Sequence, residues 1–293
     1  MNVKSTSIVC QSPKNTCNAE FIASYLGQTI QQTTMYENIL YDRTDGVATI
    51  TLNRPQVYNA LSPDLIQDIT AGTNAAAADD SVRVLVLTGA GDKAFCSGAD
   101  LKAGMGSGMS LGESLRQNYN PMILAIRNLA KPVICRLNGL AAGAGCSLAL
   151  ACDVIVADEA AYLCQIFINI GLMPDAGSTF FLPRLVGMQR AFELASTGRR
   201  VYAPEAVQLG LIQQAVPAER LDEVVNQVVD YYKNAPTKAI GAMKQVLNQS
   251  LHSDLGQMLE LEALNQDQLG QTHDAAEGIV AFLQKRKAVY RGK

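Results

Sequence analysis

The chain has no tryptophan and only two histidines, His252 and His273, both late in polar helical sequence. That scarcity argues against a histidine-built metal centre, and no metal is expected. Its seven cysteines (Cys10, Cys17, Cys96, Cys135, Cys146, Cys152 and Cys164) include no C-x-x-C pair. A secreted disulfide framework is therefore not indicated, and the cysteines within apolar runs read as buried thiols. Charge is sparse as well: 24 basic side chains face 27 acidic ones, and the bases form no tract that would suit nucleic acid. Long apolar runs are missing, since LAAGAGCSLALAC is broken by small and polar residues and followed by Asp153. No membrane-spanning helix is expected. The start of the chain lacks the basic and apolar blocks of a signal peptide, so the cytoplasm is the expected compartment.

What is present is a 48% hydrophobic composition over 293 residues, enough for a substantial core. Residues 1–34 are rich in Thr, Gln and Asn without sustained period, and read as a flexible extension, a partner-binding arm or the product of a misplaced translation start. Residues 35–225 read as a catalytic core, and 226–293 as a helical assembly region. In the core, Val47 to Leu52 alternates as a strand and ends at Asn53-Arg54-Pro55. Leu61 to Ala75 fits a helix, and Val82 to Leu87, Val133 to Leu137 and Val154 to Ala157 fit further strands. Strand, helix, strand in succession indicates an α/β fold built from crossover units. Helices are expected at Gly143 to Cys152, at Ala176 to Val186 with a break near Pro183, and at Pro204 to Leu209. The tail reads as helices over Leu221 to Tyr232, Thr237 to Gln249, Leu255 to Leu269 and Asp274 to Tyr290, with a leucine stripe at 255, 259, 261 and 264.

Three segments carry chemistry. Ala94-Phe95-Cys96-Ser97-Gly98-Ala99-Asp100 has the small residues that let backbone donors approach an acyl oxygen, though a tight loop uses the same letters. Asn138 to Ser147, NGLAAGAGCS, pairs a glycine-rich turn with a helix start whose amides would face negative charge, or serves packing alone. In Gly171-Leu172-Met173-Pro174-Asp175-Ala176-Gly177, Asp175 stands at a loop-to-helix boundary, as a helix cap or as a general base beside a carbonyl.

In this order, and together with ITLNRPQVYNALS and VYAPEAVQLGLI, the segments resemble the crotonase, or enoyl-CoA hydratase/isomerase, superfamily over about residues 35 to 293. The resemblance implies a crotonase-like spiral of ββα units with a C-terminal helical assembly region that builds a homotrimer or a dimer of trimers. It implies an acyl-CoA substrate whose thioester oxygen lies between the backbone amides of Ser97 and Ala144, with coenzyme A part of the substrate and no separate cofactor. The family's hydratases carry glutamates at the positions occupied here by Ser147 and Phe167, which become substrate-pocket residues with no titrating group. The GLMPDAGSTFFLPR segment is most similar to the branch that isomerises a ring-epoxide-CoA of phenylacetate breakdown, and it implies Asp175 as the proton carrier.

The expected function is accordingly an acyl-CoA isomerase, moving a double bond or rearranging a ring epoxide through a stabilised thioester enolate. An atypical enoyl-CoA hydratase and a noncatalytic acyl-CoA-binding assembly are the alternatives. Phe180 and Phe181 would line an aromatic pocket or belong to the core. Glu113 reads as a surface-helix acid rather than a second catalytic one. Lys238, Lys244, Lys285 and Arg286 are the candidate contacts for coenzyme A phosphates, against ordinary solvated bases.

Overall fold

A computed structural model describes residues 36–104 and 108–293, so the 1–34 extension, with Cys10 and Cys17, lies outside the described residues. Among the described residues, ten strands fall into two sheets. The larger has the order β1-β2-β3-β5-β7-β10, formed by β1 (Ile39–Thr44), β2 (Val47–Leu52), β3 (Val84–Gly89), β5 (Val133–Leu137), β7 (Val154–Asp158) and β10 (Gln214–Val216). The smaller has the order β4-β6-β8-β9, formed by β4 (Ala94–Cys96), β6 (Leu140–Ala142), β8 (Tyr162–Cys164) and β9 (Arg200–Tyr202). Within each sheet the pairs are parallel except β1 with β2 and β8 with β9. From β3 to β8 the chain thus lays its strands alternately in the large sheet and the small one. This is the α/β crotonase-like spiral that the resemblance implies.

Helices close the turns: α1 (Pro63–Ala78), short α2 (Leu101–Gly104) and α3 (Leu111–Ser114), α4 (Asn120–Asn128), α5 (Ala144–Leu150), α6 (Ser178–Val186), α7 (Met188–Thr197) and α8 (Ala203–Leu209). The tail adds α9 (Ala218–Lys233), α10 (Thr237–Ser250), α11 (Leu255–Gly270) and α12 (His273–Leu283). The strand alternation is physical: on β2, Ala48, Ile50 and Leu52 are fully buried while Val47, Thr49 and Thr51 are half-buried. On β3 both faces are covered. Leu85 and Leu87 join the main core with Phe95, Met122 and Ile126, whereas Val84 and Val86 pack with Ile134 and Val156 under Leu221, Val224, Val225 and Val229 of α9. A boundary at 225/226 therefore cuts a helix that belongs to the sheet, because its valines are what covers that face.

Two further expectations need correcting. The sixth helix runs through Pro183 to Val186 instead of breaking there. The last helix stops at Leu283, seven residues short of Tyr290, because Lys285 takes φ +52° and the Arg286 amide reaches back to Ala281 O. That is the left-handed cap that ends a helix and reverses the chain.

Candidate active site

Two asparagines set the frame. Asn138, at the β5–β6 turn, accepts from the Gly89 amide and donates to Gly89 O at 2.9 Å and Gly91 O at 2.8 Å. Asn59 donates to Ala90 O and Ala94 O and accepts from the Arg54 amide. Between them they fix the end of β3 and the start of β4, and hence the loop that follows β4. That loop is tied again by Arg54, whose guanidinium meets Asp100 at 2.9 Å, while Asp100 also accepts from the Ala103 amide at the start of α2.

Within the loop the amides divide into used and unused. Ser97 N–H donates to Tyr58 O at 3.0 Å, so the expectation that this amide faces a ligand is overturned. Leu61 forms a parallel bridge with Ala99, through Leu61 N–H to Gly98 O at 2.7 Å and Asp100 N–H to Leu61 O at 2.9 Å. Such a bridge engages residues 98 and 100 and turns the amide of residue 99 to the other side. Ala99 N–H finds no acceptor among the described residues. The neighbouring amide is Ala144, first residue of α5 after Gly143 at φ +53°, where a helix leaves its first N–H groups without internal partners. The two segments touch at Gly98: at its φ of +99° a Cβ would lie 2.7 Å from Ala142 O and 3.5 Å from Ala144 N. Only glycine fits that approach, and it sets the Ala99 and Ala144 amides on neighbouring strands of backbone.

Asp175 enters from the turn before α6, where Ala176 and Gly177 both have positive φ. The capping role considered for its side chain is not seen. Its backbone O accepts from Ser178 N–H, while carboxylate Oδ1 is buried with no hydrogen-bond partner. Burial pushes the carboxyl up to about 6, with no neighbouring charge needed to account for it. Ser147, wholly buried on α5, holds this turn in place. Its hydroxyl donates to Asp175 O at 2.9 Å and lies 2.7 Å from Ser178 Oγ. Phe167, on a 3₁₀ turn at Ile166–Ile170, is buried and approaches Gly143. Cys96, under the loop, is pushed up to about 12 by burial and stays a thiol.

One residue of this neighbourhood was not singled out from the sequence. Burial, and after it the neighbouring Asp175, Cys96 and Asp100, push the Tyr119 phenol up, and its ring packs on the main core. Nothing in RQNYNPM reads as catalytic; the only local signal is the proline two residues on, which disturbs the helix there.

Other expected residues lie elsewhere. Lys244 is buried on α10, its Nζ 2.7 Å from Asp153 Oδ2 and 2.9 Å from Ile126 O, so it has no donor to offer a phosphate. Burial lowers its pKa against the opposing pull of Asp153. Lys238 is exposed and lines a cavity of about 690 Å3 with Arg83, Lys131 and Thr272, away from Asp175. Arg286 is held by Glu277, and Lys285 is exposed at the turn beside it. Phe181 is a core residue; Arg184 Cζ lies over Phe180, 3.6 Å from the ring centroid, and Phe180 stacks beside His252. Glu113 closes a capping box with Ser110 at the surface. Among the described residues no group of three His, Cys, Asp or Glu is placed to hold a metal, and no helix is long and apolar enough to cross a membrane.

The arrangement offers two adjacent amides for an oxygen that gains negative charge and one desolvated carboxylate for a proton. Comparison with known proteins agrees in kind. The sequence profile described as Enoyl-CoA hydratase/isomerase matches residues 42–293. A Rhodobacter capsulatus protein named probable enoyl-CoA hydratase is 42% identical over 258 residues, 88% of this chain and 99% of its own length. The 1,2-epoxyphenylacetyl-CoA isomerase of Escherichia coli is 38% identical over 263 residues, 88% of this chain and all of its own. Among solved structures, an enoyl-CoA hydratase from Bacillus anthracis superposes with a TM-score of 0.81 at 36% identity, covering 88% of this chain and 100% of that one. The expected affinity for the ring-epoxide branch is thus not the best supported, since the hydratase-named relative is the more similar of the two.

Proposed function

The chain belongs to the enoyl-CoA hydratase/isomerase family, and from that premise we propose that it is an enzyme acting on an unsaturated acyl-CoA thioester. The observation that carries the proposal is the pairing of the free Ala99 and Ala144 amides with the unpartnered, desolvated Asp175 carboxylate. The amides hold the thioester oxygen and become more favourable as charge develops on it, which lowers the barrier rather than tightening substrate binding alone.

Addition of water to an enoyl-CoA is the reaction the similar proteins favour, through the hydratase names of the Rhodobacter and Bacillus proteins. Asp175 takes a proton from water while the water oxygen bonds to Cβ; the alkene electrons move through Cα onto the thioester oxygen. The enolate then collapses and Cα receives the proton from Asp175. One carboxylate carries both transfers, because Ser147 is committed to the turn and Phe167 does not titrate.

Isomerisation is the second reading, and those same two residues favour it. With no second acid-base group, removing a proton from Cα and returning it to Cγ asks less of the site than activating water. The isomerase name of the Escherichia coli relative points the same way. Exposed Leu255, Leu259 and Leu264 on α11, with Phe282 and Leu283 on α12, support the further proposal that the protein assembles as a trimer or a dimer of trimers.

The test is product analysis by mass spectrometry and NMR in deuterated water, with trans-2-enoyl-CoA, 3-enoyl-CoA and 1,2-epoxyphenylacetyl-CoA as separate substrates. A water-added product establishes hydration. Unchanged composition with a moved double bond or opened ring establishes isomerisation. Binding of all three without conversion refutes an enzymatic role on these substrates.

A further inference from the structure

The proposed chemistry uses two amides and a carboxylate and leaves open what bounds the space in front of them. Gly98 and Gly143, both buried, each precede one of the alanines whose amides are free. A Cβ on Gly143 would lie 3.4 Å from Ile166 Cγ2, 3.8 Å from Phe167 Cζ and 4.0 Å from Gly98 Cα. Two glycine backbones and two side chains thus converge on one point. Phe167 is 7% exposed and packs in the main core, whereas Ile166 is 42% exposed. Ala99, directly after Gly98, is exposed as well. Of the two side chains at that point, Ile166 is therefore the one that borders accessible space.

Ile166 is held there from both sides. Cys164 O accepts from the Gly143 amide at 2.9 Å, and Gln165 Nε2 donates to Cys146 Sγ at 3.2 Å, two residues beyond Ala144. Phe167 O accepts from Leu172 N–H at 3.1 Å across the 3₁₀ turn. Asp175 is tied to the same glycine, since Ser147 Oγ lies 3.3 Å from Gly143 O and 2.9 Å from Asp175 O. A thioester whose oxygen rests on the two amides, with Cα toward the carboxylate, therefore brings Cα beside Gly143 and against Ile166. The branch at Cβ of isoleucine restricts χ1, so its Cγ2 methyl does not swing aside freely.

We propose that Ile166 is a specificity-determining residue, whose Cγ2 methyl walls the space at Cα of the acyl group and excludes chains that carry a methyl branch on that carbon. A straight chain turns only hydrogen toward the wall. A branched one has to displace a stiff side chain or draw the carbonyl oxygen off the amides. The inference rests on the acyl-CoA reading of the site and adds a substrate class, acyl-CoAs unbranched at Cα.

The test is calorimetric binding of butyryl-CoA, 2-methylbutyryl-CoA and 3-methylbutyryl-CoA to the full chain and to its Ile166→Ala and Ile166→Val variants. The unmodified protein binds butyryl-CoA about tenfold or more tightly than 2-methylbutyryl-CoA. Ile166→Ala tightens 2-methylbutyryl-CoA until the two lie within about twofold, and leaves 3-methylbutyryl-CoA within about twofold of its starting affinity. Ile166→Val, which keeps the Cγ2 methyl, retains the selection. Equal binding of butyryl-CoA and 2-methylbutyryl-CoA by the unmodified protein, a penalty that survives in Ile166→Ala, or an equal gain for 3-methylbutyryl-CoA overturns the role of Ile166 alone. Failure of the unmodified protein to bind any of the three overturns the acyl-CoA reading and this inference with it.

Discussion

Replacing Asp175 with Asn moves stability and turnover in opposite directions. The carboxyl rises from 3.8 to about 6 through burial, which means that the folded state holds its proton more tightly than the unfolded chain does. Below pH 3.8 the group is neutral in both states and its ionisation carries no penalty. As the pH climbs toward 6 the unfolded chain ionises first, so folding loses stability progressively, and above 6 the deficit is constant. Two pKa units correspond to about 3 kcal/mol; since the side chain is only partly buried, solvent screening reduces this to roughly 1–2 kcal/mol. Asp175→Asn removes the penalty, and for a chain of this size the melting temperature at pH 7.5 rises by about 3–6 °C, with little change at pH 4. Turnover falls by about 10²–10⁴ over the same substitution. Thermal melts at both pH values, read beside initial rates, test both halves. A variant that melts at or below the parent temperature at pH 7.5, or gains equally at pH 4, refutes the claim that an uncompensated carboxylate is maintained there.

In the parent protein kcat/KM rises with pH about an apparent pKa near 6, since the ionised carboxylate is the base. A profile that is flat from pH 5 to 8 removes Asp175 from that role. Lys244→Met withdraws the ammonium from Asp153 and two carbonyls and costs about 3 kcal/mol, with Arg127 still holding Asp153. Urea unfolding registers the loss while coenzyme A affinity stays unchanged; weakened coenzyme A binding restores Lys244 as a phosphate contact. At Gly145 a Cβ would lie 2.3 Å from Cys96 O, so Gly145→Ala costs about 3 kcal/mol or more. An unchanged urea midpoint would show that β4 and α5 do not approach as described.

The long strands were legible because their alternation follows from which face is buried: Ala48, Ile50 and Leu52 read as one side of a strand and are one. The three-residue strands of the small sheet were not, since AFC, LAA and YLC are too short to show a period and are fixed by pairing with distant segments. The site followed the same division. Ala144 and Asp175 stand in segments whose small residues announce close backbone approach. Ser97 was misassigned because letters cannot tell which amide of a loop is already bonded; Tyr58 O, 39 residues earlier, decides it. Lys244 failed for a related reason, as a lysine on a helix reads as solvated until Asp153 is seen beneath it.

The hydroxyl contact between Ser147 and Ser178 also bears on how such a site can change over generations. A glutamate at 147 alone would thrust a carboxylate into a spot with no solvent and against the Ser178 oxygen, while loosening the turn that carries Asp175. The two positions are thus epistatic. A lineage exchanging one proton carrier for two has to alter 178 and 147 in concert or pass through an ancestor weakened in both folding and catalysis, so the latch acts as a historical barrier between neighbouring chemistries.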